Sequence, residues 1–348
     1  MANADVIISR MRKFLTAVVL MLGVMFVITR FAEINDIYQT LQQGDWRFLL
    51  LAALVEILWM FNLGASFKAI LRLLGVEESL GRLVLAVMAA NFVNIVAPSA
   101  GMGGVAVLIS EAKVRDYSTG KATVASTLFI LLDYVAFFMV LTLGFIVLIR
   151  RDRLTPAEIV ASIVMLVLAL ALAAILILGI RSEKQLGGLL AWMARVVNAL
   201  VRPFRPSHGD YLSVERAHQF AAEVAEGVQA LRGRTRELIV PLLLALNGKA
   251  LMILVLFLVF VSTRRPVSIG TLIAGFSIAF LFTIVSPTPS GVGVVESILT
   301  LALNSFFIPL GTAAVLALTY RAITFWMPFL IGLIAFRYLG APKRAAEG

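Results

Sequence analysis

An all-α polytopic transmembrane helix bundle, with about six full spans and two broken re-entrant helix pairs, is the fold class this sequence predicts. Three observations predict it. Of the 348 residues, 61% are hydrophobic and only 14% charged, against about 25% charged in an average soluble domain. The mean hydropathy is +0.98, and one water-soluble core, which stops growing near ~250–300 residues, could not hide that much apolar surface. The apolar residues fall in runs of spanning length and lack the alternation of a membrane β-barrel. A soluble enzyme, a disordered chain and a secreted disulfide scaffold are thereby set aside.

The chain holds no cysteine and two histidines, His208 and His218. Thiol chemistry, disulfides and Cys-based metal sites are therefore excluded, two histidines argue against a His-rich metal centre, and no metal or cofactor is expected. The formal net charge is +10. No nucleic-acid-binding motif accompanies it, so nucleic acid is not an expected partner. In a membrane protein the excess reads as the positive label of cytoplasmic loops.

In chain order, Phe14–Thr29 opens the bundle behind Arg10, Arg12 and Lys13, and with no small-residue cleavage site after it the helix is retained. Phe48–Phe67, Ala122–Ile149, Ile159–Ile180, Leu238–Val261 and Thr312–Phe336 each supply the ~20 apolar residues of a span. Two further apolar stretches are interrupted. Residues 83–109 contain Asn91, Asn94, Pro98, Gly101, Gly103 and Gly104, and residues 270–303 contain Pro287, Pro289, Gly291 and Gly293. Proline removes a backbone donor, and clustered glycines add backbone freedom. Each stretch is therefore a helix–break–helix, which lipid tolerates only where protein or a water-filled cavity surrounds the break.

The connector 181–236 is the most basic loop and belongs in the cytoplasm, as does the N-terminal cluster. Both lie inside only if segment 83–109 is re-entrant. The C-terminal Arg337, Lys343 and Arg344 join them if segment 270–303 is re-entrant too. This arrangement leaves Arg150, Arg151 and Arg153 outside. Two stripes of the connector, Leu186–Leu200 and Val214–Leu231, read as amphipathic helices that could attract anionic phospholipid.

The two breaks resemble each other, Ile95–Gly103 beside Ile284–Gly293 with one insertion, and they enter from opposite sides. That is the pattern of an inverted repeat, with a first half at 14–180 and a second at 237–336 in one integral membrane domain spanning 1–348. Such repeats place a substrate site near the midplane.

A charge at the bilayer centre costs at least ~2.5–3.5 kcal/mol and calls for a partner or a use. Glu56, Asp133, Lys249, Glu296 and Arg321 lie at that depth. They are the candidate headgroup- or substrate-binding residues. Internal pairing, such as Glu296 with Arg321 or Asp133 with Lys249, is the alternative reading. Lys68 and Glu111, near span ends, read as interfacial snorkelers. Walker A, GxSxG and HExxH patterns are all absent, so no enzyme is expected.

The run Pro287–Glu296, then Tyr320-Arg321 and Trp326-Met327-Pro328 with Gly332, resembles the lysylphosphatidylglycerol synthase transmembrane-region family. Asn94 through Gly103-Gly104, and later Asp133, are similar to that family's N-terminal motif, although Val105 stands where the family often has a carboxylate. The resemblance implies the flippase-type domain of the multiple peptide resistance factor in a stand-alone form. It implies a lipid moved between leaflets of the inner membrane, with Glu296 and Arg321 in a polar cavity, and no synthase activity.

The physics of the residues leaves three readings open: a lipid translocase, an ion-coupled transporter of a small solute, and a non-catalytic membrane partner of a lipid- or glycan-modifying enzyme. Self-association stays open beside them.

Overall fold

The computed structural model describes residues 44–96, 102–115, 117–181, 234–286 and 288–345. The span Phe14–Thr29, most of the basic connector, and Pro98, Gly101 and Pro287 lie outside the described residues. Among the described residues every regular element is helical. Five helices are long and apolar enough to cross a membrane.

The first of these, α1 (Trp46–Leu73), is capped by Asp45, whose Oδ1 accepts from the Arg47 N–H at 3.1 Å. It is followed by α2 (Leu80–Val96) and α3 (Met102–Val114). Next come α4 (Thr119–Arg150), capped by Ser118, and α5 (Pro156–Arg181). After the connector, α6 (Ile239–Ser262) leads to α7 (Ile269–Val285), capped by Ser268, and α8 (Val294–Ser305). The last span joins α9 (Leu310–Arg321) to α10 (Met327–Ala345) through a π-helical segment, Ala322–Trp326.

Polar contacts at the helix ends define the two faces of the bundle. At one, Glu78 pairs with Arg115 at 3.1 Å and Arg82 with Glu111 at 2.8 Å. Both bonds tie the start of α2 to the end of α3. At the same face Arg234 donates to the Leu73 carbonyl at 2.9 Å, where the connector returns to the bundle. This is the connector face. At the other, the Asp45 N–H donates to the Ser262 carbonyl at 2.8 Å. There Arg151 donates to Thr271 and Ser268, and Arg153 lies over Phe307, joining the end of α4 to the start of α7 and the end of α8.

The α2–α3 hairpin therefore leaves from and returns to the connector face, and the α7–α8 hairpin does the same from the opposite face. The two broken segments are re-entrant and oppositely directed. Glu111 is not a snorkeler: it is buried against α2 by its bond to Arg82.

The hairpins are seated by close helix crossings. At Gly332 of α10 an added Cβ would lie 2.6 Å from the Met88 carbonyl of α2, so only glycine allows that approach. Beside the second hairpin, Phe137 of α4 packs on Phe276 and Phe280 of α7, with ring centroids 6.2 and 4.6 Å away. These rings belong to the central apolar cluster that also buries Val295, Leu299 and Tyr320.

Candidate functional site

Each hairpin tip is closed by a side chain that accepts a backbone N–H at the start of the returning helix. In the first, Asn94 Oδ1 accepts from Gly104 N–H at 2.6 Å. Asn91 and Asn94 do not themselves break the helix; they lie within α2, and Gly103 and Gly104 lie within the first turn of α3. An asparagine side chain can join two helices across a break without ending either.

In the second hairpin the break is a tight turn. Ser290 sits at φ 47, Gly291 at φ 73 and Gly293 at φ 81. This left-handed backbone is what the glycines permit. Glu296 Oε2 then accepts from the Gly293 N–H at 2.7 Å, the carboxylate half of a capping box at the positive end of α8.

The other oxygen of Glu296 holds Arg321. Arg321 Nε donates to Glu296 Oε1 at 2.9 Å, and Nη2 donates to the Ser290 carbonyl at 2.9 Å. Its guanidinium also lies 4.6 Å from the Phe325 ring centroid. Carboxylate, turn carbonyl and aromatic face together satisfy a buried cation that would otherwise be prohibitive at this depth.

A second pair joins two spans. Lys249 of α6 donates to Asp133 Oδ1 of α4 at 2.6 Å, and its Nζ lies 3.8 Å from the Phe280 ring centroid. The pair is unequally covered: the Lys249 side chain is 5% exposed and that of Asp133 is 26% exposed. Asp133 thus offers a carboxylate edge to whatever fills the space beside it.

Both pairs and both hairpin tips meet at one cavity of about 380 Å³. Asn91 and Asn94 line it from the first hairpin, and Ser286, Thr288 and Ser290 from the second. Asp133, Lys249 and Arg321 line it from the spans, with Trp59 and Tyr320 among the aromatic lining. Glu296 stands just behind this wall, bonded through Arg321.

Glu56 does not join the lining. It is fully buried in α1 beside Tyr320, and neither carboxyl oxygen has a hydrogen-bond partner among the described residues. Glu56 and Lys249 each lie ten residues beyond the first residue of their helix, Trp46 of α1 and Ile239 of α6. Each belongs to the span that precedes a hairpin.

Three contributors went unread in the sequence: the rings of Phe280 and Phe325 and the carbonyl of Ser290. Phe280 lies one turn before Thr283 on α7, and both line the cavity. A polar residue one turn from an aromatic, close to a break, was the available signal. The π-helical turn after Arg321 is a further mark of a functional position; it brings Thr324 and Phe325 onto the cavity.

Two relatives match along nearly their full length. A UPF0104 membrane protein of Methanocaldococcus jannaschii is 24% identical over 325 residues, 92% of this chain and 94% of that protein. One of Methanothermobacter thermautotrophicus is 24% identical over 337 residues, covering 93% and 94%. The family model described as the lysylphosphatidylglycerol synthase TM region matches residues 14–332, a stretch that takes in both hairpins, both ion pairs and the cavity between them, and the chain is a membrane protein belonging to that family.

Proposed function

We propose that this protein is a lipid translocase of the cell's inner membrane, passing a polar headgroup between leaflets through the cavity at the two hairpin tips. One observation carries the reading: two hairpins from opposite faces end at a single cavity lined by members of two ion pairs, one buried and one partly open. A space of about 380 Å³ holds a headgroup and not its acyl chains, so the tails stay in the bilayer while the head crosses.

The ion pairs set the chemistry. Breaking a buried pair by removing one member costs roughly 3–5 kcal/mol, because the other charge is left uncompensated. A headgroup carrying both a phosphate and an ammonium group avoids that cost. Its phosphate replaces Glu296 or Asp133 at Arg321 or Lys249, while its ammonium takes the displaced carboxylate. Arginine's fork suits the phosphate. The protein performs no covalent chemistry in this scheme and needs no cofactor, and its partner is the membrane lipid. The basic connector and both termini face the cytoplasm, which follows from the positive-inside bias.

Reconstitution into liposomes with headgroup-labelled fluorescent lipid tests the reading. The protein is expected to accelerate movement between leaflets, and Arg321→Met with Glu296→Gln to return it to the protein-free rate. Wild-type rates in that double variant would sink the assigned roles. Solute uptake with no lipid movement would instead identify an ion-coupled transporter. Single cysteines introduced beside Glu77 and Asp45 report the sidedness, since the chain has none of its own: labelling of the Glu77 site from the outside would reverse the orientation.

A further inference from the structure

The face opposite the connector carries arginines that the charge bias of cytoplasmic loops does not explain. Arg150 ends α4 and Arg151 and Arg153 follow it, while Arg264 and Arg265 follow α6. The structure gathers two of them at a second cavity, of about 520 Å³, formed where the α4–α5 turn, the α6–α7 loop and the α8–α9 turn converge. It shares no lining residue with the cavity at the hairpin tips.

Arg151 is held there in a fixed pose. It donates to Thr271 Oγ1 at 3.0 Å and to Ser268 Oγ at 2.9 Å, and its guanidinium lies 5.1 Å from the Phe306 ring centroid. Arg153 lies 5.5 Å from the Phe307 ring centroid. Among the described residues no aspartate or glutamate lines the cavity. Among the described residues neither arginine pairs with a carboxylate. Asp152, between them in the chain, is not among the lining residues, so the two cations face the cavity without a lining carboxylate, an arrangement that suits an anion.

The rim says which kind of anion. Phe307 is 89% exposed and held at φ 67, a backbone region costly for a bulky residue. Pro266, Val267 and Ile308 continue the apolar rim. Aromatic residues beside cations at a span end match the level of lipid headgroups. A free ion has no use for that rim; an amphiphile does.

We infer that Arg151 and Arg153 form a docking site for the phosphate of an anionic phospholipid in the leaflet opposite the connector, with Phe307 against its glycerol and upper acyl chain. The site stands whether or not the chain moves lipid. It stations an anionic lipid at the base of the second hairpin, where a bound headgroup bridges α4, α7 and α8.

Lipid retention by native mass spectrometry, after reconstitution with phosphatidylglycerol or phosphatidylcholine, tests this. The wild type is expected to retain phosphatidylglycerol in preference. Arg153→Gln, which leaves every hydrogen bond of Arg151 in place, is expected to lower that retention about tenfold, the loss of one charge-assisted contact. Arg151→Gln with Arg153→Gln is expected to abolish the preference. Unchanged retention in a monodisperse Arg153→Gln protein overturns the site. Inorganic phosphate that binds wild type and displaces the lipid completely at millimolar concentration overturns the lipid assignment in favour of a free anion.

Discussion

The first hairpin closes its tip with a neutral amide, Asn94 to Gly104, while the second closes with a carboxylate, Glu296 to Gly293, that also grips a cation. The device is the same: one side-chain oxygen satisfies an N–H at the start of the returning helix. The consequence differs. Asn94 spends its oxygen on the hairpin alone, so the first tip is joined to itself. Glu296 has a second oxygen, and through Arg321 it joins the tip of α8 to the last span and to the Ser290 carbonyl. The other ion pair lies between spans, joining Asp133 of α4 to Lys249 of α6. An inverted architecture thus places two differently wired half-sites around one space, one locked by a buried ring of bonds and one with a half-open carboxylate.

The strongest way to break this contrast is to remove one member of the locked pair. Arg321→Ala strands Glu296 in a buried site and is expected to lower stability by about 3–5 kcal/mol. Thermal unfolding in detergent reads this directly. Arg321→Met with Glu296→Gln should recover most of the stability while translocation stays lost. A single variant as stable as wild type would show that the ring is not a lock.

The span-to-span pair should respond less. Lys249→Met leaves Asp133, which reaches water at its exposed edge, and the expected loss is about 1–3 kcal/mol by the same melting measurement. A loss equal to that of Arg321→Ala would erase the distinction between the half-sites. Smaller again, Asn94→Ala deletes a neutral hydrogen bond and is expected to cost about 1–2 kcal/mol. Asn94→Asp, an acceptor of the same shape, should keep the hairpin and make the first tip resemble the second. Hydrogen exchange at the Gly104 amide, faster in Asn94→Ala and protected in Asn94→Asp, is the check.

The smallest effect belongs to the base of the first hairpin. Burial raises the Glu78 carboxyl, but the Ser79 N–H and the Arg115 guanidinium outweigh it and hold the group below the usual carboxylate range. A depressed acid stabilises above its unfolded pKa and loses that contribution as pH falls through the folded value. Glu78→Gln is therefore expected to melt slightly below wild type at neutral pH, by under about 1 kcal/mol for so exposed a pair. The difference should vanish once the solution is acidified below the folded value. A difference that persists in acid would mean the glutamine disturbs packing instead.

Much of this was legible in the residues. The five described spans coincide with apolar runs to within three positions, except that α1 runs on past Phe67 to Leu73 and α10 past Phe336 to Ala345, because a helix in lipid must satisfy its backbone internally over a fixed thickness. Pro289, Gly291 and Gly293 announced the second tip, since their backbone demands are local. Glu296 with Arg321 and Asp133 with Lys249 were readable as pairs because charge at depth needs compensation. Less was legible where the cause was not local. Asn94 read as a breaker and proved to be a staple. Glu111 read as a snorkeler and proved to be a buried partner of Arg82. Glu56 read as a cavity residue and lies apart from it, against Tyr320. Phe325 and the Ser290 carbonyl carried no signal as ligands of cations, and Phe280 only the weak one of its spacing from Thr283, because their role depends on which helix lies opposite.

The sequence by itself determined that this chain lives in a membrane, where its helices run, where two of them break, and which few charges must be compensated. These follow from transfer free energies and backbone chemistry, which act over a turn or a span. Only the tertiary structure decided that the two hairpins, which the loop charges already direct from opposite sides, end at one cavity. It alone supplied the rings and the turn carbonyl that hold Lys249 and Arg321, and it brought Arg151 and Arg153 of the far face to a second site. Those outcomes depend on contacts between residues separated by 25 positions, as for Glu296 and Arg321, by 120, as for Arg151 and Thr271, and by 161, as for Leu73 and Arg234. No local preference encodes a partner at that distance; packing of whole helices does.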